Sequence, residues 1–453
     1  MSHIRAHTLH SLSHNMLNKT PMLRYHPIDA NLFITNREKL SKHLKPNALC
    51  VLNANDIMPQ NGDGIMPFRQ NSDLFYLSGI DQEETILVLF PDAPKKEWQE
   101  ILFIKATNEK IITWEGKKYT PEEAQATSGI PNIHFLEEFE SLFRMLMAQA
   151  DYVYLNSDEH IRSTNLVQTR DIRFINWCKD HYPLHTYQRL APLMHHVRMT
   201  KSELEVNLIK QACAITEKGF RRILPLVKPG VMEYEIEAEF IHEFIRNRSR
   251  GFAYDPIVAT GKNACVLHYC NNNQPCQAGE TILLDVGAEY ANYASDMTRV
   301  VPVSGRFTAR QRAVYNATLR VMQGAKQLLT PGNDMTTYQQ SVAEMVEKEL
   351  IDLQLISLAD IKQQDPKRPA YKQYFMHGVS HHLGLGVHDV SHMHHPFEAG
   401  MVLTIEPGIY IPAEGIGMRL ENDVLIREDG VEDLMANIPI EADEIETLMH
   451  AKG

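Results

Sequence analysis

The apolar positions of this chain change rhythm once along its length. From about residue 48 to 190, short apolar runs alternate with helical patterns. ALCVLN (48–53), TILVLF (85–90), EILFI (100–104) and YVYLN (152–156) have the length and composition of strands. They predict a first α/β domain. A polar connection, DHYPLHTYQRLAP, follows, and beyond it amphipathic helices alternate with strand pairs. Thr200 with Glu203 has the pattern of a capping box and opens a helix through Leu208, Ala212, Ile215 and Ile223, ending at Lys228-Pro229-Gly230. EYEIEAEFIHEFIRN predicts a second helix, AGETILLDVG (278–287) a strand, and YASDMTRVVPV its return.

The same order then recurs. Thr308 with Gln311 opens a helix that ends at Thr330-Pro331-Gly332, TYQQSVAEMVEKEL continues as another helix, and AGMVLTIEPG (399–408) is a strand with its return in IGMRLENDVLI. Overlaid, AGETILLDVG and AGMVLTIEPG share Ala-Gly at the start, an acid at position eight and glycine at position ten, so Asp285 matches Glu406. His268 lies 17 residues before Asp285 and His388 lies 18 before Glu406. Helix, Pro-Gly, helix, histidine and acid kept in one order predict a duplicated α/β unit, its two hairpins side by side in one sheet.

Composition narrows the function. A chain of 453 residues calls for two or three domains, and its formal charge of −12 argues against binding nucleic acid or an anionic membrane. No apolar run approaches a membrane span. Residues 1–22 carry His3, His7, His10 and His14 but no signal-peptide core; they read as an unstructured leader or a start-site artefact, with Met16 and Met22 just downstream. The expected domains are then 23–190 and 191–453. Six cysteines in so long a chain are no disulfide framework, and Cys265, Cys270 and Cys276 lack the C-x2-C spacing of a zinc knuckle. They read as reduced thiols of a cytoplasmic protein.

The chemistry gathers on the strands. Asp285 stands inside the apolar ILLDVG, where an unpartnered ionised carboxylate costs several kcal/mol. Its return strand brings Asp296; in the second half Glu406 is followed on the return by Arg419 and Glu421. Taken singly, each acid is more simply a solvated or lysine-paired strand end. Four in repeat-related positions predict a bound pair of cations. FMHGVSHHLGLGVHDVSHMHH (375–395) adds seven histidines. Four carboxylates with one imidazole make a mostly hard-oxygen site, suited to Mn²⁺, with Co²⁺, Fe²⁺ or Mg²⁺ as alternatives. Two such ions held about 3.5 Å apart activate water and stabilise an oxyanion, which is hydrolytic machinery.

ILLDVGAEYANYASDMTR, FMHGVSHHLGLGVHD, LTIEPGIY and GMRLEND together resemble the pita-bread metallopeptidases, and most of all aminopeptidase P, the Xaa-Pro aminopeptidases. FRQNSDLFYLSGIDQEETILVL (68–89) is similar to the non-catalytic N-terminal domain of that family, so the likeness covers nearly all of the chain after the leader. It implies an α/β (α+β) protein: an N-terminal α/β domain, then a pseudo-twofold pita-bread catalytic domain. It implies two divalent metal ions on Asp285, Asp296, His381, Glu406 and Glu421, with Glu406 also handling the proton of the attacking water. It implies substrate-positioning or charge-stabilising roles for His268, His377 and His388, and an orienting role for Tyr410 and Arg419. Substrates would be peptides beginning Xaa-Pro, and the protein a homo-oligomer, dimer or tetramer. His382 stands where many relatives have tryptophan and Cys270 where they have threonine; His382, His392, His394 and His395 are expected on an exposed loop or rim. Prolidase, acting on Xaa-Pro dipeptides, and a pita-bread module that binds without catalysis are the competing readings.

Overall fold

The computed structural model describes residues 23–450 apart from Asn165 and Met393, so the histidines of the leader lie outside the described residues. The chain divides into two compact units between Val197 and Arg198, inside the helix Ala191–Met199. Among the described residues, no helix is long and apolar enough to cross a membrane.

The first unit is built on one mixed sheet of six strands. Along the chain these are β1 (Ala48–Asn53), β2 (Ile86–Leu89), β3 (Glu100–Ile104), β4 (Asn132–Phe135), β5 (Tyr152–Leu155) and β6 (Thr186–Arg189), in the spatial order β4-β3-β2-β1-β5-β6. β1 is wholly buried, which is why its sequence is a continuous apolar run and not an alternation. Its core packs Leu49, Val51, Phe103 and Val153 against Phe139, Phe143 and Leu146 of the helix Phe139–Met147. The segment FRQNSDLFYLSG is a capped turn of helix: Asn71 accepts from the N–H groups of Asp73 and Leu74, and Gly79 closes Ser72–Ser78 at φ +67°. The Gln70 side chain donates to the carbonyls of Ile80 and Gln82.

The second unit shows the duplication. In its first half, β7 (Ile257–Thr260) flanks β8 (Thr281–Asp285), which pairs with β11 (Thr298–Pro302); a short inner hairpin, β9 (Glu289–Tyr290) with β10 (Tyr293–Ala294), extends beyond. In its second half, β12 (Val402–Ile405) pairs with β15 (Asn422–Arg427), which β16 (Gly430–Asp433) flanks, and the inner hairpin is β13 (Gly408–Ile411) with β14 (Ile416–Arg419). Both Pro-Gly turns have left-handed glycines, Gly230 at φ +90° and Gly332 at +88°. Each donates its N–H three residues upstream of the strand's opening glycine, Gly230 to Cys276 O and Gly332 to Phe397 O, at 2.9 Å.

Three expectations change. The first helix of the unit is Glu203–Ile223, capped by Ser202 with Glu205 and not by Thr200 with Glu203. Thr200 bridges to Met401 and Lys201 N–H donates to Gly400 O, which keeps these two residues extended until the helix begins. Thr308 with Gln311 does cap Ala309–Lys326, and both helices end several residues before their Pro-Gly turns. The two hairpins also lie side by side without forming one continuous ladder. The β8 and β15 ladders belong to separate sheets, joined where Glu421 N–H donates to Thr298 O at 3.1 Å. His382, finally, is buried. The stretch 379–383 runs antiparallel beside β12, with Glu406 N–H on Val379 O, Thr404 N–H on His381 O and Leu383 N–H on Val402 O, so His381 and His382 lie on opposite faces and both faces are covered, Val379 and Leu383 buried on one and His382 on the other.

Candidate metal centre

Each half breaks its ladder at its acids. Asp285 ends β8 and Asp296 lies just before β11; Glu406 follows β12 and Glu421 precedes β15. The backbone pairing runs on irregularly from the outer ladder to the inner hairpin, with Val286 N–H on Met297 O at 2.9 Å, Ser295 N–H on Ala288 O at 3.1 Å and Leu420 N–H on Pro407 O at 3.3 Å, and the acids stand at these joints. Gly287 makes the first of these joints possible, since a Cβ there would sit 1.8 Å from Ser295 O.

His381 is delivered by its extended segment. Its N–H donates to Thr404 Oγ1, its Nδ1 lies 3.1 Å from its neighbour's carbonyl, His382 O, and its Nε2 lies 3.4 Å from Asp296 Oδ2 and 3.8 Å from Glu406 Oε1. A carbonyl only accepts, so Nδ1 carries the proton and Nε2 is turned to the carboxylates. Ligand atoms of Asp296, His381 and Glu421 all fall within 4.8 Å of one another.

Arg419 ties the acids together. Its Nη2 is 2.5 Å from Asp285 Oδ2, its Nη1 donates to the Tyr410 hydroxyl at 2.8 Å and its Nε to Thr298 Oγ1 at 3.1 Å. The Thr298 hydroxyl in turn donates to Glu421 Oε2 at 2.6 Å. The Tyr254 hydroxyl lies 2.7 Å from Asp285 Oδ1 and 2.5 Å from Asp296 Oδ1, and its single proton can satisfy only one of them. Asp296 N–H donates to Asp423 Oδ2 at 3.0 Å, so a fifth acid supports the second. Tyr254, Thr298 and Asp423 are the functional residues that pattern alone did not single out. Thr298 and Asp423 stand inside SDMTR and LEND; Tyr254 lies outside the repeat, with no signal in its neighbours.

The balance of charge is uneven. Burial raises the Glu406 carboxyl to about 7; His381 and Arg419 pull it down, Asp296 and Asp285 push it up. Glu421 is driven well above the carboxylate range by burial and then by Asp296, Glu406 and Asp285, and Asp285 is also raised, burial outweighing Arg419. His381 moves the other way: burial lowers it, yet the Asp296 hydrogen bond and the charges of Glu406 and Asp296 lift it to about 9. Among the described residues, the four carboxylates, Asp296 and Glu421 buried and Asp285 and Glu406 mostly so, face Arg419 and His381 as cations. A donor set of carboxylate oxygens and one imidazole with this surplus of negative charge fits divalent cations.

The other predicted residues fall around this point. His377 keeps Nδ1 on Gly378 O at 2.7 Å and Nε2 on the Tyr410 hydroxyl at 2.8 Å, and burial with the Arg419 charge lowers it to about 3, a neutral imidazole. His377 Nδ1 lies 3.7 Å from Glu406 Oε2. His388 stacks on His381 with ring centroids 4.0 Å apart. His268 is exposed, near enough to His377 for its charge to act on it. His394 is exposed, while His395 reaches Glu398 at 2.8 Å. All six cysteines are free, Cys270 exposed.

Residues 207–428 match the model of metallopeptidase family M24, and residues 33–154 that of the aminopeptidase P N-terminal domain. The Xaa-Pro aminopeptidase of Haemophilus influenzae is 33% identical, over 92% of this chain and 97% of that protein; that of Escherichia coli is 31% identical over the same shares. The low-pH form of Escherichia coli aminopeptidase P superposes with a TM-score of 0.85 at 30% identity, covering 94% of this chain and 99% of that one. The same enzyme with the inhibitor Pro-Leu gives 0.83 over the same shares, also at 30% identity.

Proposed function

The chain belongs to metallopeptidase family M24, in its aminopeptidase P branch, and we propose from that premise that it releases the N-terminal residue from peptides with proline in second position. It is a hydrolase with a pita-bread catalytic domain preceded by an aminopeptidase P N-terminal domain. The observation that carries the reading is the convergence of Asp285, Asp296, Glu406 and Glu421 with His381 at the point where both ladders break.

Those five residues are the ligands in this reading, for two divalent ions, Mn²⁺ foremost. When bound, the ions activate water and stabilise negative charge on the carbonyl oxygen of the scissile bond. The chain does the rest. Arg419 fixes Asp285 directly and Glu421 through Thr298, so the carboxylates hold their rotamers before substrate arrives. Glu406 takes the proton of the attacking water. Tyr410, held by Arg419, donates to His377 Nε2 and keeps that ring oriented at the rim, while His268 and His388 complete the histidine lining that positions the peptide.

Proline explains the need for a dedicated enzyme. The amide before it is tertiary and has no N–H to donate, so strand-like docking to an ordinary peptidase loses a hydrogen bond. Catalysis belongs to residues 191–453, with 23–190 as the non-catalytic domain of a cytoplasmic homo-oligomer, dimer or tetramer.

The test is mass-spectrometric product analysis of Mn²⁺-loaded protein with equimolar Xaa-Pro and Xaa-Pro-Xaa peptides. Release of the first residue from the longer peptide, suppressed by chelator, is the expected result. Cleavage of the dipeptide alone would make the chain a prolidase, and no cleavage of either would overturn the reading.

A further inference from the structure

Beyond the metal-side residues, the second unit holds a buried ionic cluster that the chemistry above does not use. Arg198 Nη2 lies 2.5 Å from Asp389 Oδ1, and Lys201 Nζ lies 3.1 Å from Asp389 Oδ2, with all three residues under a tenth exposed. Burial works to raise the Asp389 carboxyl, but the charges of Arg198 and Lys201 outweigh it and hold it at about 2. An ion triad of this kind is costly to desolvate and adds little net stability by itself. Its place in the chain suggests another use.

Asp389 follows His388 directly and closes the loop that began at His382. Its N–H donates to His382 O at 2.8 Å, Gly384 N–H donates to Gly386 O at 3.0 Å, and Gly386 N–H reaches Asp389 Oδ1 at 3.3 Å. A Cβ on Gly384 would lie 2.2 Å from Asp389 Oδ2, so the loop is shaped around the carboxylate. Gly384 O in turn accepts from Ala294 N–H, two residues before Asp296. The His382 carbonyl that receives Asp389 N–H is the same one that takes His381 Nδ1. One residue therefore borders both rings of the His381–His388 stack.

We propose that Asp389, clamped by Arg198 and Lys201, is a positioning residue that holds His388 against His381 and fixes the His382 carbonyl that orients His381. It touches no substrate and acts through these two histidines. The inference rests on the reading of His388 as part of the active site, and the test separates the two.

The full-length Mn²⁺-loaded protein is compared with Asp389→Asn, His388→Ala and the double variant, with kcat and KM measured on an Xaa-Pro-Xaa peptide and Mn²⁺ affinity by calorimetry. The expected result for Asp389→Asn is a kcat lower by about 10- to 100-fold with KM little changed, and Mn²⁺ affinity reduced. In the His388→Ala background the same substitution costs much less, because what it positions is already gone. Equal losses in both backgrounds, or lower melting temperature with kcat intact, would overturn the proposal. If His388→Ala alone loses nothing, the role of His388 fails, and an unchanged Mn²⁺ affinity in Asp389→Asn would then overturn the latch on His381 as well. Should Asp389→Asn not fold, Lys201→Met, which leaves Arg198 on the carboxylate, enters the same cycle under the same criteria.

Discussion

The two histidine-bearing loops hold matching places in the repeat and are restrained by different physics. The loop with His268 hangs on Glu233. Its Oε1 accepts from Thr260 N–H and Oγ1–H, and its Oε2 from the Tyr269 hydroxyl and Gln274 N–H, all at 2.8–2.9 Å. Every one of these donors is neutral, and together they fill the carboxylate's four lone-pair sites. The loop with His388 hangs on Asp389, whose carboxylate is held by two cations. Where a loop folds back so that neutral donors converge on the acid, hydrogen bonds suffice. Where few such donors reach the acid, as with the bond from Gly386 N–H to Asp389 Oδ1, charge balances charge. The duplication preserved the position of the histidine and left its anchoring free to differ.

The largest effect should come from removing what the two halves share. Asp296→Ala should abolish binding of the ion pair, measured by metal analysis after dialysis. A variant that keeps two ions and full turnover would show that the halves bind independently.

The anchors themselves come next. Asp389→Ala leaves two buried cations without their partner and should cost about 3–5 kcal/mol, whereas Glu233→Ala leaves neutral donors unsatisfied and should cost about 1–3 kcal/mol. Denaturant unfolding decides, and the reverse order would break the comparison. The pH dependence has a definite sign. The folded-state value of Asp389, about 2, lies below its unfolded one, so its contribution is full above the ordinary aspartate range and is lost as pH falls towards 2. The stability gap between the native chain and Asp389→Asn should therefore stay constant from neutral pH to about 5 and shrink on further acidification.

Tyr254→Phe removes the hydroxyl that lies between Asp285 and Asp296 and should weaken Mn²⁺ binding by about 10- to 100-fold in calorimetry. An unchanged affinity would mean that Arg419 alone orients the first-half pair. The smallest effect on the site is expected from His382→Ala: metal content should not change, because the ring alternates with His381 along an extended segment. Loss of metal would place the ligand one residue away from His381.

Much of this was legible beforehand, and the exceptions have physical causes. β1 and β3 are where the apolar runs put them, because burial on both faces writes a continuous signal. β4 and β6, NIHF and TYQR, carry no such signal because they are edge strands with half-exposed or exposed residues. The helix expected from Thr200 begins at Glu203 because Lys201 is pinned to Gly400, a contact about 200 residues away that no local window contains. Thr308 with Gln311 has no such competitor and caps as expected.

The candidate site divides along the same line. Asp285, Asp296, Glu406 and Glu421 were identifiable because the repeat placed them at equivalent positions, and resemblance supplied His381. What the acids share is set by cross-repeat contacts: Thr298 with Glu421, Arg419 with Asp285, Asp423 with the Asp296 amide. By itself the sequence determined the kinds of groups, their order and the elements that carry them, since periodicity and capping act over a few residues. Only the tertiary structure decided which carboxylates crowd together, which histidine faces them and which faces the core. Those outcomes depend on burial and on Coulomb interactions among residues more than a hundred positions apart, and such energies exist only once the chain has folded.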